Sequence, residues 1–202
     1  MYKELMSLKY EKAGNDVDYK IVLKKDKEEL DVFFLGSNSK GDWKNNFNFP
    51  VKVYKKQESC ILAHRGFVKA FKSANDEIFD KIEEMLLKSK VDISKTKVCF
   101  IGHSFGGAMS VLAAEDFWFR FRVKPNVYTY GSPRVLFGNK SKNYVRSCIN
   151  EIVQFSHRND IVTYVPPMYK HVEEMKIGKF NLKGLFNPQK YHLIYDDLDK
   201  CL

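Results

Sequence analysis

Residues 97–107 constrain the fold of this chain more than any other stretch. Lys97-Val98-Cys99-Phe100-Ile101 is a short, nearly all-apolar run, the kind of strand that is buried on both faces of a parallel sheet. Gly102-His103-Ser104-Phe105-Gly106-Gly107 follows at once, and residues 105–119, rich in Ala, Met and Leu, read as a helix. A strand that becomes a helix over so few residues needs a sharp, strained turn whose flanks carry no side chains, hence Gly102 and Gly106. Such a turn presents the Ser104 hydroxyl at the end of the sheet. The first amides of the helix, Phe105 foremost, point to the same place as donors for an oxyanion. The pattern G-x-S-x-G arises by chance in roughly one chain in twenty of this length. The strand–turn–helix setting therefore carries the inference, against the plain alternative of a Gly-rich turn with a solvent-facing serine.

The rest of the chain supplies the company such a turn requires. Residues 19–23 and 30–35 read as strands separated by a charged turn, and residues 127–130 and 152–155 as further strands. Phe67, Ala70, Phe71, Ala74, Ile78, Ile82, Met85 and Leu86 recur at three- and four-residue intervals, which predicts an amphipathic helix of several turns. A second helix is expected over 142–149, and short edge strands over 175–177 and 192–195. Strands alternating with helices predict a three-layer α/β domain. Without repeats or low-complexity linkers, residues 1–202 are expected to form one domain.

A serine hydroxyl needs a base to become a nucleophile, and the base needs a carboxylate to orient it. In a strand–elbow–helix frame the chain order is Ser, then Asp or Glu, then His. Asp160 follows the strand at 152–155, where it either faces the site or merely caps the next turn. Of the five histidines, His64 and His103 precede Ser104, and His157 is too near Asp160 in sequence. His171 and His192 are left.

Several segments, in order, resemble the class 3 lipase family, which includes fungal triacylglycerol lipases. They are Ala63-His64-Arg65-Gly66-Phe67, Gly102-His103-Ser104-Phe105-Gly106-Gly107-Ala108, Tyr128-Thr129-Tyr130-Gly131-Ser132-Pro133-Arg134-Val135 and Arg158-Asn159-Asp160-Ile161-Val162. The resemblance covers residues 30–195 and implies an α/β-hydrolase fold, a central, mostly parallel sheet with helices on both faces. It implies Ser104, Asp160 and His192 as the triad, since Tyr191-His192-Leu193-Ile194-Tyr195 is similar to the late segment that carries the family's base. It also implies oxyanion donors at Ser37 and Phe105, and a lid over 40–50 carrying Trp43, Phe47 and Phe49. The activity implied is hydrolysis of lipid acyl esters, of the triacylglycerol lipase or phospholipase A type, through an acyl-enzyme and without metal or cofactor. Three departures concern loop shape: Phe34-Leu35-Gly36-Ser37 lacks the family's arginine, Leu136 and Phe137 precede Gly138-Asn139, and the stretch from Asp160 to His192 is short. A lipase-like interaction module without activity is the competing expectation, and an intact Ser–Asp–His order speaks against it.

Composition narrows the partners. The chain carries 34 Lys and Arg against 25 Asp and Glu, a net charge of +9. That excess favours anionic surfaces, and together with the aromatic lid it leads us to expect peripheral contact with an anionic membrane. No motif suggests nucleic acid. Four cysteines without close pairing suit a reducing compartment, and the first ten residues lack a signal-peptide apolar core. A soluble intracellular protein is expected.

Overall fold

The computed structural model describes residues 1–36, 51–56, 59–182, 188–195 and 198. In chain order these form α1 (Tyr2–Ser7), β1 (Glu11–Ala13), β2 (Val17–Lys24), β3 (Glu29–Phe34), β4 (Val51–Lys56), β5 (Ser59–His64), α2 (Arg65–Ser89), β6 (Lys97–His103), α3 (Phe105–Phe121), β7 (Asn126–Tyr130), β8 (Leu136–Phe137), α4 (Gly138–Ser147), β9 (Ile152–His157), β10 (Tyr169–Lys170), β11 (Glu174–Ile177) and α5 (Pro188–His192). The main sheet has the strand order β1-β2-β3-β6-β7-β9-β11. From β3 to β11 every pairing is parallel, and β1 and β2 add an antiparallel edge. A smaller antiparallel sheet, β10-β8-β5-β4, lies beside it.

The period-two alternation of the strands sorts their side chains onto two faces. Val32, Phe34, Val98, Phe100, Val127 and Ile152 share one buried cluster with Val68, Phe71 and Ile78 of α2 and Met109, Leu112 and Phe117 of α3. The intervening residues Phe33, Cys99, Ile101, Tyr128, Tyr130 and Phe155 form the other cluster, covered by Tyr2 and Leu5 of α1 and by Tyr195. Both faces are thus covered, as the apolar strands require, and the fold is that of an α/β hydrolase with a mostly parallel central sheet. At one end of α2 the His64 ring caps the helix, its Nδ1 accepting from the Phe67 amide at 3.3 Å. At the other end Lys90 turns left-handed, with φ of 55°.

Two expectations are corrected. The helix expected at 142–149 spans Gly138–Ser147, because it starts directly after β8 and is tied to β5 where Ser141 Oγ accepts from the Leu62 amide at 2.9 Å. Residues 192–195 are not an edge strand. Pro188–His192 is a helical turn, opened by a proline whose missing N–H is no loss there. Leu193 and Ile194 after it are both exposed while Tyr195 is buried, so the alternation of a half-buried strand is lacking. The segment over 175–177 does form an edge strand, β11, parallel to β9. Residues 40–50, with Trp43, Phe47 and Phe49, lie outside the described residues, as does Ser37. Among the described residues no helix is long and apolar enough to cross a membrane.

Phe100 stands where the layers meet, fully buried, 5.6 Å from the Phe117 ring and 6.5 Å from Phe34. Phe100→Ala is expected to lower stability by about 3–5 kcal/mol. Leu87→Ala, at a residue 79% exposed, is expected to change it by less than about 0.5 kcal/mol. Urea melts of the two variants check the contrast.

Candidate active site

Ser104 sits between β6 and α3 with φ 56° and ψ −124°. A non-glycine residue is held there at a cost of roughly 1–3 kcal/mol, so the surroundings must enforce the turn. Ser104 N donates to the Tyr130 carbonyl at 2.9 Å, carrying the β6–β7 ladder one residue into the turn, and Gly107 N donates back to the Ser104 carbonyl at 2.9 Å. A side chain on Gly102 would collide with the Gly106 carbonyl, and one on Gly106 with the Phe34 carbonyl. Helix α3 therefore touches the ends of β6 and β3 backbone to backbone. Its first residue, Phe105, brings its amide beside Ser104, while the Ser104 Oγ is buried and has no hydrogen-bond partner among the described residues.

Asp160 ends the loop after β9 and is fully buried. Its two oxygens take different partners. Its Oδ1 accepts from the Val162 amide at 3.1 Å and caps the turn. Its Oδ2 lies 2.9 Å from His192 Nδ1 and accepts from the Tyr195 hydroxyl at 2.7 Å. Because the carboxylate accepts, Nδ1 carries the imidazole proton and Nε2 is the basic nitrogen. The Tyr195 oxygen also accepts from the His157 amide at 3.1 Å, so its single proton goes to Asp160. Burial, and then the nearby Asp160, push the Tyr195 phenol far above its ordinary range, so it stays a donor. Gly131, with φ of 60°, keeps this corner open, since a Cβ there would lie 2.8 Å from Asp160 Oδ2 and 3.0 Å from the His192 ring.

The other histidines have different partners. His103 Nε2 donates to the His192 carbonyl at 2.8 Å. Burial, and then His192 itself, push its pKa down to about 3. His171 Nε2 donates to the Thr163 carbonyl at 2.8 Å, and burial lowers its pKa. His157 Nδ1 accepts from the Asn159 amide at 3.1 Å, and its ring stacks on Tyr191. Of the five, His192 is hydrogen-bonded to Asp160. Sequence alone gives Tyr195 and Gly131 no role. The His-x-x-Tyr spacing carries the only signal for Tyr195, and Gly131 can be read only once the chain is folded.

Among the described residues one cluster gathers metal-ligand atoms. Glu29, Asp31 and Cys99 bring ligand atoms within 4.8 Å of one another, at the end of β3 and β6 away from Ser104. Lys24 Nζ stands 2.5 Å from Asp31 and 3.2 Å from Glu29, so the chain supplies its own cation. Burial pushes the Cys99 thiol up to about 12, which disfavours the thiolate a metal needs.

The model of the family described as lipase (class 3) matches residues 32–170. The chain belongs to the class 3 lipase family. It is 32% identical over 152 residues to a lipase of Rhizopus niveus, covering 72% of this chain and 37% of that protein. It is 32% identical over 150 residues to secreted mono- and diacylglycerol lipase 1 of Fusarium solani, covering 72% of this chain and 42% of that one. The chain thus spans less than half the length of these two relatives. The solved structure of lipase II from Rhizopus niveus superposes with a TM-score of 0.70 at 27% identity, over 81% of this chain and 63% of that chain. The class 3 lipase match contains Ser104 and Asp160 and ends before His192, whose place here rests on geometry.

The neutral histidines have a consequence for stability. Burial lowers the His64 pKa to about 4, and His103 lies lower still, against an ordinary 6.5. As pH falls below 6.5 the unfolded chain takes up protons that the folded chain does not, so stability falls towards pH 4 and rises with pH across that window. Each tenfold loss of proton affinity on folding is worth about 1.4 kcal/mol, so the two rings together account for several kcal/mol. Thermal melts from pH 7 to 4 are expected to show this loss, with a shallower slope in His64→Gln. Equal slopes would contradict the assignment.

Proposed function

We propose that this chain is a serine hydrolase of lipid acyl esters, of the lipase or phospholipase A type, with Ser104 as nucleophile, His192 as base and Asp160 as orienting carboxylate. The observation that carries the reading is the 2.9 Å contact between His192 Nδ1 and a buried Asp160 carboxylate, in a chain whose Ser104 stands on a strained strand–helix turn. His192 Nε2 takes the proton as Ser104 Oγ attacks the ester carbonyl. The Phe105 and Ser37 amides receive the oxyanion, and the alcohol leaves with the proton from His192. Water, activated by the same base, then releases the acid from the acyl-enzyme. Asp160 stabilises the imidazolium that forms in each step. No step calls for a metal or cofactor.

A lipid substrate is supported by the relatives, which are lipases, and by exposed apolar residues close in sequence to Asp160 and His192. Ile161, next to Asp160, and Leu193 and Ile194, next to His192, are 50%, 52% and 43% exposed. Exposed apolar groups flanking Asp160 and His192 in the chain suit a substrate that lies in an interface. The net charge of +9 makes an anionic phospholipid surface the fitting one, with Trp43, Phe47 and Phe49 proposed as a lid. Cys99 and Cys148 carry free, buried thiols, in keeping with a reducing, intracellular setting.

Labelling with a fluorophosphonate, together with turnover of p-nitrophenyl esters, tests the chemistry. Wild type is expected to label and Ser104→Ala not to, with kcat lowered by at least about a thousandfold. A folded wild type that does not label, or a Ser104→Ala variant that does, would sink the reading. The interface is tested with Ser104→Ala, which leaves the lipid intact. It is expected to sediment with vesicles containing phosphatidylglycerol and to be released by salt. Binding indifferent to both would remove the anionic preference.

A further inference from the structure

The residue proposed as base sits on the most weakly framed segment of the site. His192 ends a helix of five residues, and the described residues after it, 193–195 and 198, join no strand. The backbone hydrogen bonds Leu193 N to Lys190 O, at 3.4 Å, and Leu198 N to Tyr195 O, at 3.2 Å, are local. Besides Asp160, side chains far away in sequence reach the backbone of this segment, among them two that take consecutive carbonyls. His103 Nε2 donates to the His192 carbonyl at 2.8 Å, and the Tyr2 hydroxyl donates to the Leu193 carbonyl at 3.4 Å. The donors also pack on each other: the Tyr2 ring lies edge-on to His103 at 5.7 Å, and against Tyr130 at 4.9 Å and Tyr195 at 5.8 Å. Tyr2 is 2% exposed. Its helix is seated by the buried Leu5 and by the Tyr10 hydroxyl, which donates to the Leu5 carbonyl at 2.5 Å.

We propose that His103 and Tyr2 are positioning residues, a two-point clamp on the His192 and Leu193 carbonyls that fixes the angle at which the His192 ring meets Ser104. The inference rests on the reading of Ser104, His192 and Asp160 as the reacting groups. It assigns a role to α1, which lies outside the family match at 32–170. Fixing the carbonyl of the base's own residue fixes the backbone from which the ring projects, while Asp160 holds the ring at Nδ1. A base displaced by about 1 Å costs on the order of a hundredfold in rate, so a loop without ladder bonds needs such a constraint. His103 suits the task chemically. The carbonyl it meets can only accept, so its Nε2 carries the hydrogen. Its burial keeps the ring neutral, so no second positive charge opposes an imidazolium on His192, whose ring centroid is 4.7 Å away.

The test replaces the donors one at a time. His103→Leu removes the bond, His103→Gln returns an amide N–H near the position of Nε2, and Tyr2→Phe removes one oxygen. With a soluble p-nitrophenyl ester, His103→Leu is expected to lower kcat about tenfold or more with KM within about twofold, and His103→Gln to recover most of it. Tyr2→Phe, losing a longer bond, is expected to lower kcat by about two- to fivefold. Proton NMR of the His192 Nδ1–H, hydrogen-bonded to Asp160, is read on the same proteins. The resonance is expected to shift or broaden in His103→Leu and return in His103→Gln. Folded His103→Leu with wild-type kcat and an unmoved resonance would overturn the clamp, as would His103→Gln no better than His103→Leu. If His103→Leu does not fold, Tyr2→Phe decides, and wild-type kcat with an unmoved resonance again overturns it. The NMR readout needs no turnover, so a failed clamp is distinguishable from a failed hydrolase reading, which Ser104-dependent labelling reports.

Discussion

Backbone meets backbone where α3 leaves β6, and the site is arranged around that contact. Gly102, Gly106 and the Phe34 carbonyl stand closer than any side chain would allow. This closeness forces Ser104 into its left-handed turn and aims the start of α3 at the end of the sheet. The cost of the strain, roughly 1–3 kcal/mol, is met by the ladder bond from Ser104 N to Tyr130 and by the buried layers on either side of β6. Parallel register then brings the ends of β7 and β9 level with β6, since His103 pairs with Tyr130 and Tyr130 with Phe155. Gly131 and Asp160 follow from those ends. The elbow thus sets both Ser104 and the edge along which Gly131 and Asp160 are delivered.

The two halves of the site are held by different physics. Ser104 belongs to a rigid junction of strand and helix whose geometry is fixed by close packing. Asp160, in a loop, and His192, at the end of the short α5, are fixed by directed hydrogen bonds: Val162 N and Tyr195 Oη on the carboxylate, His103 Nε2 and Tyr2 Oη on the His192 and Leu193 carbonyls. Two of these donors are held in a single protonation state by their surroundings. The Tyr195 phenol is kept protonated by burial beside Asp160, and the His103 ring is kept neutral by burial.

The parts legible in sequence are those with a strong local period or a close-packed motif. The apolar run 97–101, the recurrence from Phe67 to Leu86 and the glycines of the elbow each follow from a constraint that acts within a few residues. The β4–β5 hairpin escapes the sequence reading, although Val51-Lys52-Val53-Tyr54 alternates as a strand should. The other strands of its sheet, β8 and β10, are two residues each and carry no period at all. Helix α1 escapes it because six residues with two buried side chains, Tyr2 and Leu5, give too short a pattern. The segment 192–195 imitates a strand because its apolar residues serve a loop, with Tyr195 turned inward to Asp160. Pairing of Asp160 with His192 across 32 residues is a property of sheet order. In sequence only chain order and family resemblance suggest it.

The central claim is that Ser104 forms a covalent acyl intermediate with His192 as its base. Acid quenching during turnover of a slowly deacylating p-nitrophenyl ester, followed by peptide mass spectrometry, measures this directly. An acyl group is expected on the peptide containing Ser104, nearly absent in His192→Ala. Steady turnover with no adduct on that peptide, or an adduct on another residue that persists in Ser104→Ala, would contradict it.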